Sequence, residues 1–140
     1  MRAARVVTAV VATSLIEAGE SSLTIPQLRG LVLVASGRAT STTDLAAALD
    51  VHASSASRLV DRLVGAGLLT RAPNASDRRQ VTLTATPHGR RTLEAVMERR
   101  RERFRALVER LDEPTRTSLA AALTAFCDAA GEPQDALGLS

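Results

Sequence analysis

The hydropathy period of the chain changes along its length, and that change constrains the fold more than any other feature. Up to Gly67 the apolar residues recur every three or four positions, as on one face of a helix. From Val81 to Thr86 they alternate strictly, with Val81, Leu83 and Ala85 set against Thr82, Thr84 and Thr86. From Pro87 the helical spacing returns. The run "LLTRAP", just before, is also short and rich in Thr and Leu, and the polar "NASDRR" separates it from the alternating run. Two such runs around a polar loop predict a β-hairpin. The expected fold class is therefore mainly α with a single small hairpin.

Start and stop signals divide the rest into helices. One is expected over residues 3–18, with Gly19 ending it. Thr24 and Gln27 have the spacing of a capping box, with Pro26 in the first turn, where its missing N–H costs nothing. Leu28, Leu31, Val32 and Ala35 then form an apolar stripe up to the stop at Gly37. Ser41 and Asp44 repeat the capping pattern ahead of Leu45, Ala48 and Leu49, and a tight turn at Asp50–Val51 leads to a further helix ended by Gly65 and Gly67. After the hairpin, Thr86 caps and Pro87 starts a long helix to about Leu111, with Leu93, Val96, Met97, Phe104, Leu107, Val108 and Leu111 along one side. A last helix is expected over 113–130. With 140 residues, no internal repeat and no linker, a single domain spanning 1–140 is expected.

Composition excludes several function classes. Phe104 and Phe126 are the only aromatic residues, so a stacking platform for single-stranded nucleic acid is ruled out. His52 and His88 are too few and too separated to make a metal site with Cys127, and no nucleophile elbow, Gly-rich loop or paired-carboxylate motif is present. Neither an enzyme, nor a metal, nor a cofactor is expected. The lone Cys127 precludes an intrachain disulfide and fits a reducing cytoplasm; its apolar surroundings, "LTAFCDAA", predict a buried position. The first twenty residues imitate a signal peptide, but their apolar run is short, is broken by Thr8, Thr13 and Ser14, and lacks an A-x-A site. No segment approaches transmembrane length, so no membrane partner is expected.

Charge is unevenly spread. All 18 basic residues are Arg. Residues 52–91 hold seven of them against only Asp61 and Asp77, whereas residues 1–51 are neutral and residues 92–140 are net acidic. A local excess of this kind suits one lobe meeting a polyanion. The arginine-rich "ERRRERFR" of residues 98–105 is interleaved with Glu98 and Glu102 and reads instead as a salt-bridged, solvated helix face.

Within the basic third, residues 54–64 divide cleanly on a helical wheel. Ser54, Ser55, Ser57, Arg58, Asp61 and Arg62 fill one arc; Ala56, Leu59, Val60, Leu63 and Val64 fill the other. The apolar arc anchors the helix to its neighbours. The serine arc is low in profile, allows close approach to a base edge or phosphate, and offers two guanidinium groups for charge-assisted contacts. The helix, turn and helix of 41–65 thus read as a helix-turn-helix whose second helix enters the major groove, and the hairpin after it reads as a wing carrying Arg78 and Arg79 at its tip. A helical hairpin with a polar outer face is the alternative: a winged-helix module that docks protein through its serine face and binds no specific DNA.

Residues 45–89 resemble the winged helix-turn-helix of MarR-type transcriptional regulators. The resemblance rests on the recognition segment, on Gly67-Leu68 before the first wing strand, on Asp77-x-Arg79 at the tip and on Thr86-Pro87-His88-Gly89 at the entry to the long helix. "LTIPQLRGLVLV" is similar to the family's second helix, which extends the likeness to residues 22–130. What it implies is a DNA-binding lobe over about 22–89 and dimerisation helices over about 1–20 and 87–130. It further implies a homodimer on a pseudo-palindromic operator of double-stranded DNA, commonly a repressor released by a small-molecule inducer held between the lobe and the dimer helices. Ser54, Ser55, Ser57, Arg58 and Arg62 are then expected in the major groove and Asp77, Arg78 and Arg79 at the wing, with Asp77 orienting Arg79. His52 and Ser41 are expected near the DNA backbone. The chain departs from the family pattern at Asp50, where Gly is common, at Ala85, where Leu is common, and by one extra residue between Gly37 and Ser41.

Overall fold

The computed structural model describes residues 2–17, 23–73 and 81–130. In chain order the elements are α1 (Arg2–Glu17), α2 (Ile25–Ala35), α3 (Thr42–Leu49), α4 (Ala53–Gly65), β1 (Leu69–Pro73), β2 (Val81–Ala85), α5 (Pro87–Val108) and α6 (Glu113–Ala129). Among the described residues, six helices and a two-stranded antiparallel hairpin make the mainly α architecture that the period change predicts. Gly19 lies outside the described residues.

Local chemistry sets the helix starts. At α2 the Thr24 N–H donates to Gln27 Oε1 at 2.7 Å while Thr24 Oγ1 accepts from the Gln27 N–H at 3.4 Å. At α3, Ser41 Oγ accepts from the Asp44 N–H at 3.1 Å, and Asp44 Oδ2 accepts from the Ser41 N–H at 2.9 Å. Both are capping boxes, as the spacing predicts. Thr86 caps α5, and its Oγ1 also donates to the Gly67 carbonyl at 2.6 Å, so one hydroxyl joins a helix start to the end of the preceding turn. Between α3 and α4, Asp50 adopts the left-handed region at φ 54°, ψ 52°, a conformation that Asp tolerates better than most residues with a Cβ.

The core lies around α2. That helix packs on α3, α4, α5 and β2, and it buries Leu28, Leu31, Leu33 and Val34. The expected one-sided stripe is too narrow: Leu28 and Leu31 are buried, Val32 and Ala35 only half-buried, and Leu33 and Val34 are buried as well. Neighbours on several sides cover a wider arc of α2 than a single stripe, and Pro26 and Arg29 lie on the part left exposed. Gly30 lets α4 close in, because a Cβ there would meet Leu59 Cδ2 at 2.7 Å. Gly89 has a sharper role: a Cβ would stand 2.2 Å from the Leu68 carbonyl oxygen, so only glycine allows α5 to start against the base of the hairpin.

The hairpin pairs Leu69 with Ala85, Arg71 with Leu83 and Pro73 with Val81. Leu83 and Ala85 are buried, as the alternation predicts, but Val81 is 48% exposed, because the hairpin has by then left the lobe. The Leu83 N–H donates to the Thr40 carbonyl at 2.8 Å and fixes β2 beside the segment leading into α3. α5 stops at Val108, three residues short of Leu111, and packs against α1, which buries Val10, Ser14 and Leu15. α6 contains no buried residue, and Cys127 is exposed rather than buried. An apolar neighbourhood in sequence buries a cysteine only if another element of the chain covers it, and here none does.

Candidate nucleic-acid interface

α4 carries the site. Ala56, Val60 and Leu63 are buried and Leu59 and Val64 half-buried, so the apolar arc faces the core. On the opposite arc Ser54, Ser55, Arg58, Asp61 and Arg62 are exposed and Ser57 is half-buried. The face is cationic by omission as well as by composition. Ion pairs hold Arg99 to Glu102, Arg101 to Glu98 and Arg116 to Glu113, the first two being the salt bridges expected in "ERRRERFR". Arg58 and Arg62, like Arg29 nearby on α2, have no carboxylate partner among the described residues. Their charge is thus available to an external anion.

Asp61 is the exception on that arc, and its partner is one that the pattern of residues 54–64 cannot reveal. Arg71 Nη2 donates to Asp61 Oδ1 at 2.8 Å. In the hairpin register Arg71 shares a face with Leu69 and lies opposite Leu83, which turns its guanidinium toward α4. The pair neutralises the one carboxylate on the exposed arc of α4 and ties the hairpin stem to that helix. A signal did exist in the sequence: an unneutralised Asp between two arginines, with another Arg ten residues on.

His52 is exposed and occupies the N-cap position of α4 itself, with no side-chain hydrogen bond to the first turn. Ser41 is half-buried at the start of α3, its Oγ engaged with the Asp44 N–H. Hydrogen bonds from Ser41 and then from Thr40 hold the Asp44 carboxyl below its ordinary value of 3.8. Asp77, Arg78 and Arg79 lie outside the described residues; the hairpin stem is defined as far as Pro73 and Val81. Among the described residues no cluster of His, Cys, Asp or Glu could hold a metal ion, and no helix is long and apolar enough to cross a membrane.

A short helix, a left-handed turn and an amphipathic helix with exposed arginines, followed at once by a hairpin packed on that helix, define a winged helix-turn-helix. The comparisons agree. The model of the MarR family matches residues 23–81. A crystal structure of RV1404 from Mycobacterium tuberculosis is 38% identical, covers 95% of this chain and 90% of that one, and superposes with a TM-score of 0.87. A variant of S. aureus MepR, solved bound to an oligodeoxyribonucleotide, shares the fold at 22% identity, with 91% and 92% of the two chains covered and a TM-score of 0.70. BpsR of Bordetella bronchiseptica, whose structure concerns regulation of its DNA binding by 6-hydroxynicotinic acid, shares it at 24% identity, with 91% and 89% covered and a TM-score of 0.64. No curated protein matches the sequence. This chain belongs to the MarR family of winged-helix transcriptional regulators.

Proposed function

We propose that the protein is a homodimeric repressor that reads a pseudo-palindromic operator in double-stranded DNA and is released by a small molecule. The observation that carries this reading is the pair of exposed guanidinium groups of Arg58 and Arg62, without a carboxylate partner among the described residues, on a helix whose other face is anchored in the core. An arginine fork on a rigid helix suits the two acceptors of a guanine edge, and the serines beside it keep the face low enough to enter the groove. In this reading Ser54, Ser55, Ser57, Arg58 and Arg62 occupy the major groove. Asp77, Arg78 and Arg79 act at the wing, and His52 and Ser41 lie near phosphates. The oligodeoxyribonucleotide bound to the MepR variant supports DNA as the partner, and the regulation of DNA binding by 6-hydroxynicotinic acid in BpsR supports control by a ligand.

The dimer is supported by apolar surface that one chain leaves uncovered. Leu107, Leu123 and Phe126 on the last two helices, and Val6, Val7 and Ile16 on α1, are all exposed. In the dimer, residues 1–20 and 87–130 supply the dimer interface and 22–89 the DNA-binding lobe.

The test is a salt titration of duplex binding on a selected operator and on scrambled DNA. Arg58→Ala is expected to cost about 1–3 kcal/mol per site and to relax preference at particular base pairs. Arg79→Ala is expected to weaken binding to all sequences evenly and to lower the salt slope by about one per wing. An operator-to-scrambled ratio unchanged by Arg58→Ala would leave α4 as a docking surface for protein instead of a reading helix.

A further inference from the structure

Arg58 and Asp61 stand three residues apart on the exposed arc of α4, a spacing that makes side chains neighbours on a helix surface. Elsewhere in this chain that spacing closes into ion pairs. Arg99 meets Glu102 at 3.0 Å, Arg116 meets Glu113 at 3.2 Å, and Arg101 meets Glu98. On α4 it stays open, and Asp61 Oδ1 instead accepts from Arg71 of β1 at 2.8 Å. We propose that Arg71 is a positioning residue for DNA recognition: by holding Asp61 it keeps the guanidinium of Arg58 free for a base edge.

The comparison with α5 isolates the cause. Exposure does not separate the open spacing from the closed one, since Arg99, Glu102, Arg58 and Asp61 are all exposed. Order along the helix does not separate them either, because the arginine precedes the acid in both Arg99–Glu102 and Arg58–Asp61. What differs is a competitor from outside the helix. Arg71 sits on a strand held in register opposite Leu83, and that strand packs on α4. Its backbone is therefore placed by contacts that Asp61 does not supply, and only its side chain has to be ordered to make the pair.

The pair bears on recognition through Arg58. A guanidinium engaged by a carboxylate of its own helix must break that contact before its fork can meet the two acceptors of guanine. An exposed pair at this spacing is worth about a factor of two, and a carboxylate left loose between Arg58 and Arg62 also repels phosphate. Arg71 removes both penalties without touching DNA. The effect on recognition rests on the DNA-binding reading above; the choice of partner by Asp61 does not.

The experiment follows two readouts in the full chain, operator binding and the NMR signal of the Arg58 Nε–H. Arg71→Ala should weaken operator binding about fivefold over two half-sites and shift the Arg58 signal, as Asp61 turns back to Arg58. Adding Asp61→Ala to Arg71→Ala should reverse both changes. Asp61→Ala alone takes a negative charge off the face and should tighten binding about twofold. Arg71→Lys keeps a cation beside Asp61 and should recover most of what Arg71→Ala loses. An Arg58 signal indifferent to Arg71→Ala overturns the proposal and leaves the short reach of Asp as what keeps the spacing open. A loss that the double variant does not reverse overturns it by making Arg71 itself a DNA contact. An equal loss in Asp61→Ala overturns it by making the pair a structural tie between hairpin and helix. Wild-type protein that binds no duplex, while the Arg58 signal follows the expected pattern, overturns the DNA-binding reading and leaves the choice of partner by Asp61 standing.

Discussion

The winged lobe and the last helix start alike and end differently. Thr24 and Ser41 cap helices of the lobe, and Asp112 caps α6 just as well, its carboxylate accepting from the Thr115 N–H at 3.1 Å. Yet the lobe buries Leu31, Leu45, Val60, Leu63, Leu68 and Leu69 almost completely, while α6 buries nothing and leaves Leu123 and Phe126 53% and 72% exposed. Good caps therefore do not make a stable helix. In proteins most of a helix's stability comes from the packing of an apolar face against something else. The lobe supplies that cover from within one chain. Among the described residues nothing covers α6, which is the physical argument for the proposed second copy.

Four experiments bear on this contrast. The largest effect is expected at the centre of the lobe. Leu63→Ala removes a fully buried side chain from the inner face of α4 and should lower unfolding free energy by about 3 kcal/mol in urea denaturation. Leu123→Ala in α6 should change the stability of the isolated chain by far less, and equal losses would end the distinction between the two regions.

Next comes the assembly itself. Phe126→Glu puts a charge into the proposed interface and should raise the dimer dissociation constant about a hundredfold, measured by sedimentation, while the lobe stays folded. A wild-type protein that remains monomeric at micromolar concentration would break the comparison, because α6 would then be stable uncovered.

A smaller effect tests whether capping matters equally in both regions. Ser41→Ala removes one half of the α3 box and should cost about 1 kcal/mol by thermal melting. The smallest concerns pH. Asp44 and Asp112 both have carboxyls held below the ordinary 3.8, Asp44 by hydrogen bonds from Ser41 and Thr40, and Asp112 by those from Thr115. A depressed folded-state value means that the contribution is present above the unfolded value and is lost as pH falls through the folded one. Stability should thus decline in the acid range below about pH 4. Asp112→Asn should remove the α6 share of that decline and leave the lobe's share intact, as followed by circular dichroism.

What was legible in the sequence was the information carried over short spans. The capping boxes at Thr24–Gln27 and Ser41–Asp44, the Thr86-Pro87 start and the two-faced wheel of residues 54–64 all depend on residues within a turn or two of one another. Their geometry follows from the helical repeat alone. The alternation at Val81–Ala85 revealed a strand for the same reason. The positive patch was visible because seven arginines crowd into one third of the chain.

Tertiary structure decided how many sides of each element are covered, a matter of neighbours that periodicity does not name. α2 lies among α3, α4, α5 and β2, so Leu33 and Val34 are buried beyond the expected stripe. Val81 and Cys127, apolar by type and context, are exposed because the hairpin and α6 extend past the single-chain core. The Asp61–Arg71 pair needed the hairpin to fold back on α4. Helical and strand periods arise from bonding along the backbone, so they are written in neighbouring residues; burial and pairing arise from contact between distant segments, and only the folded chain brings those together.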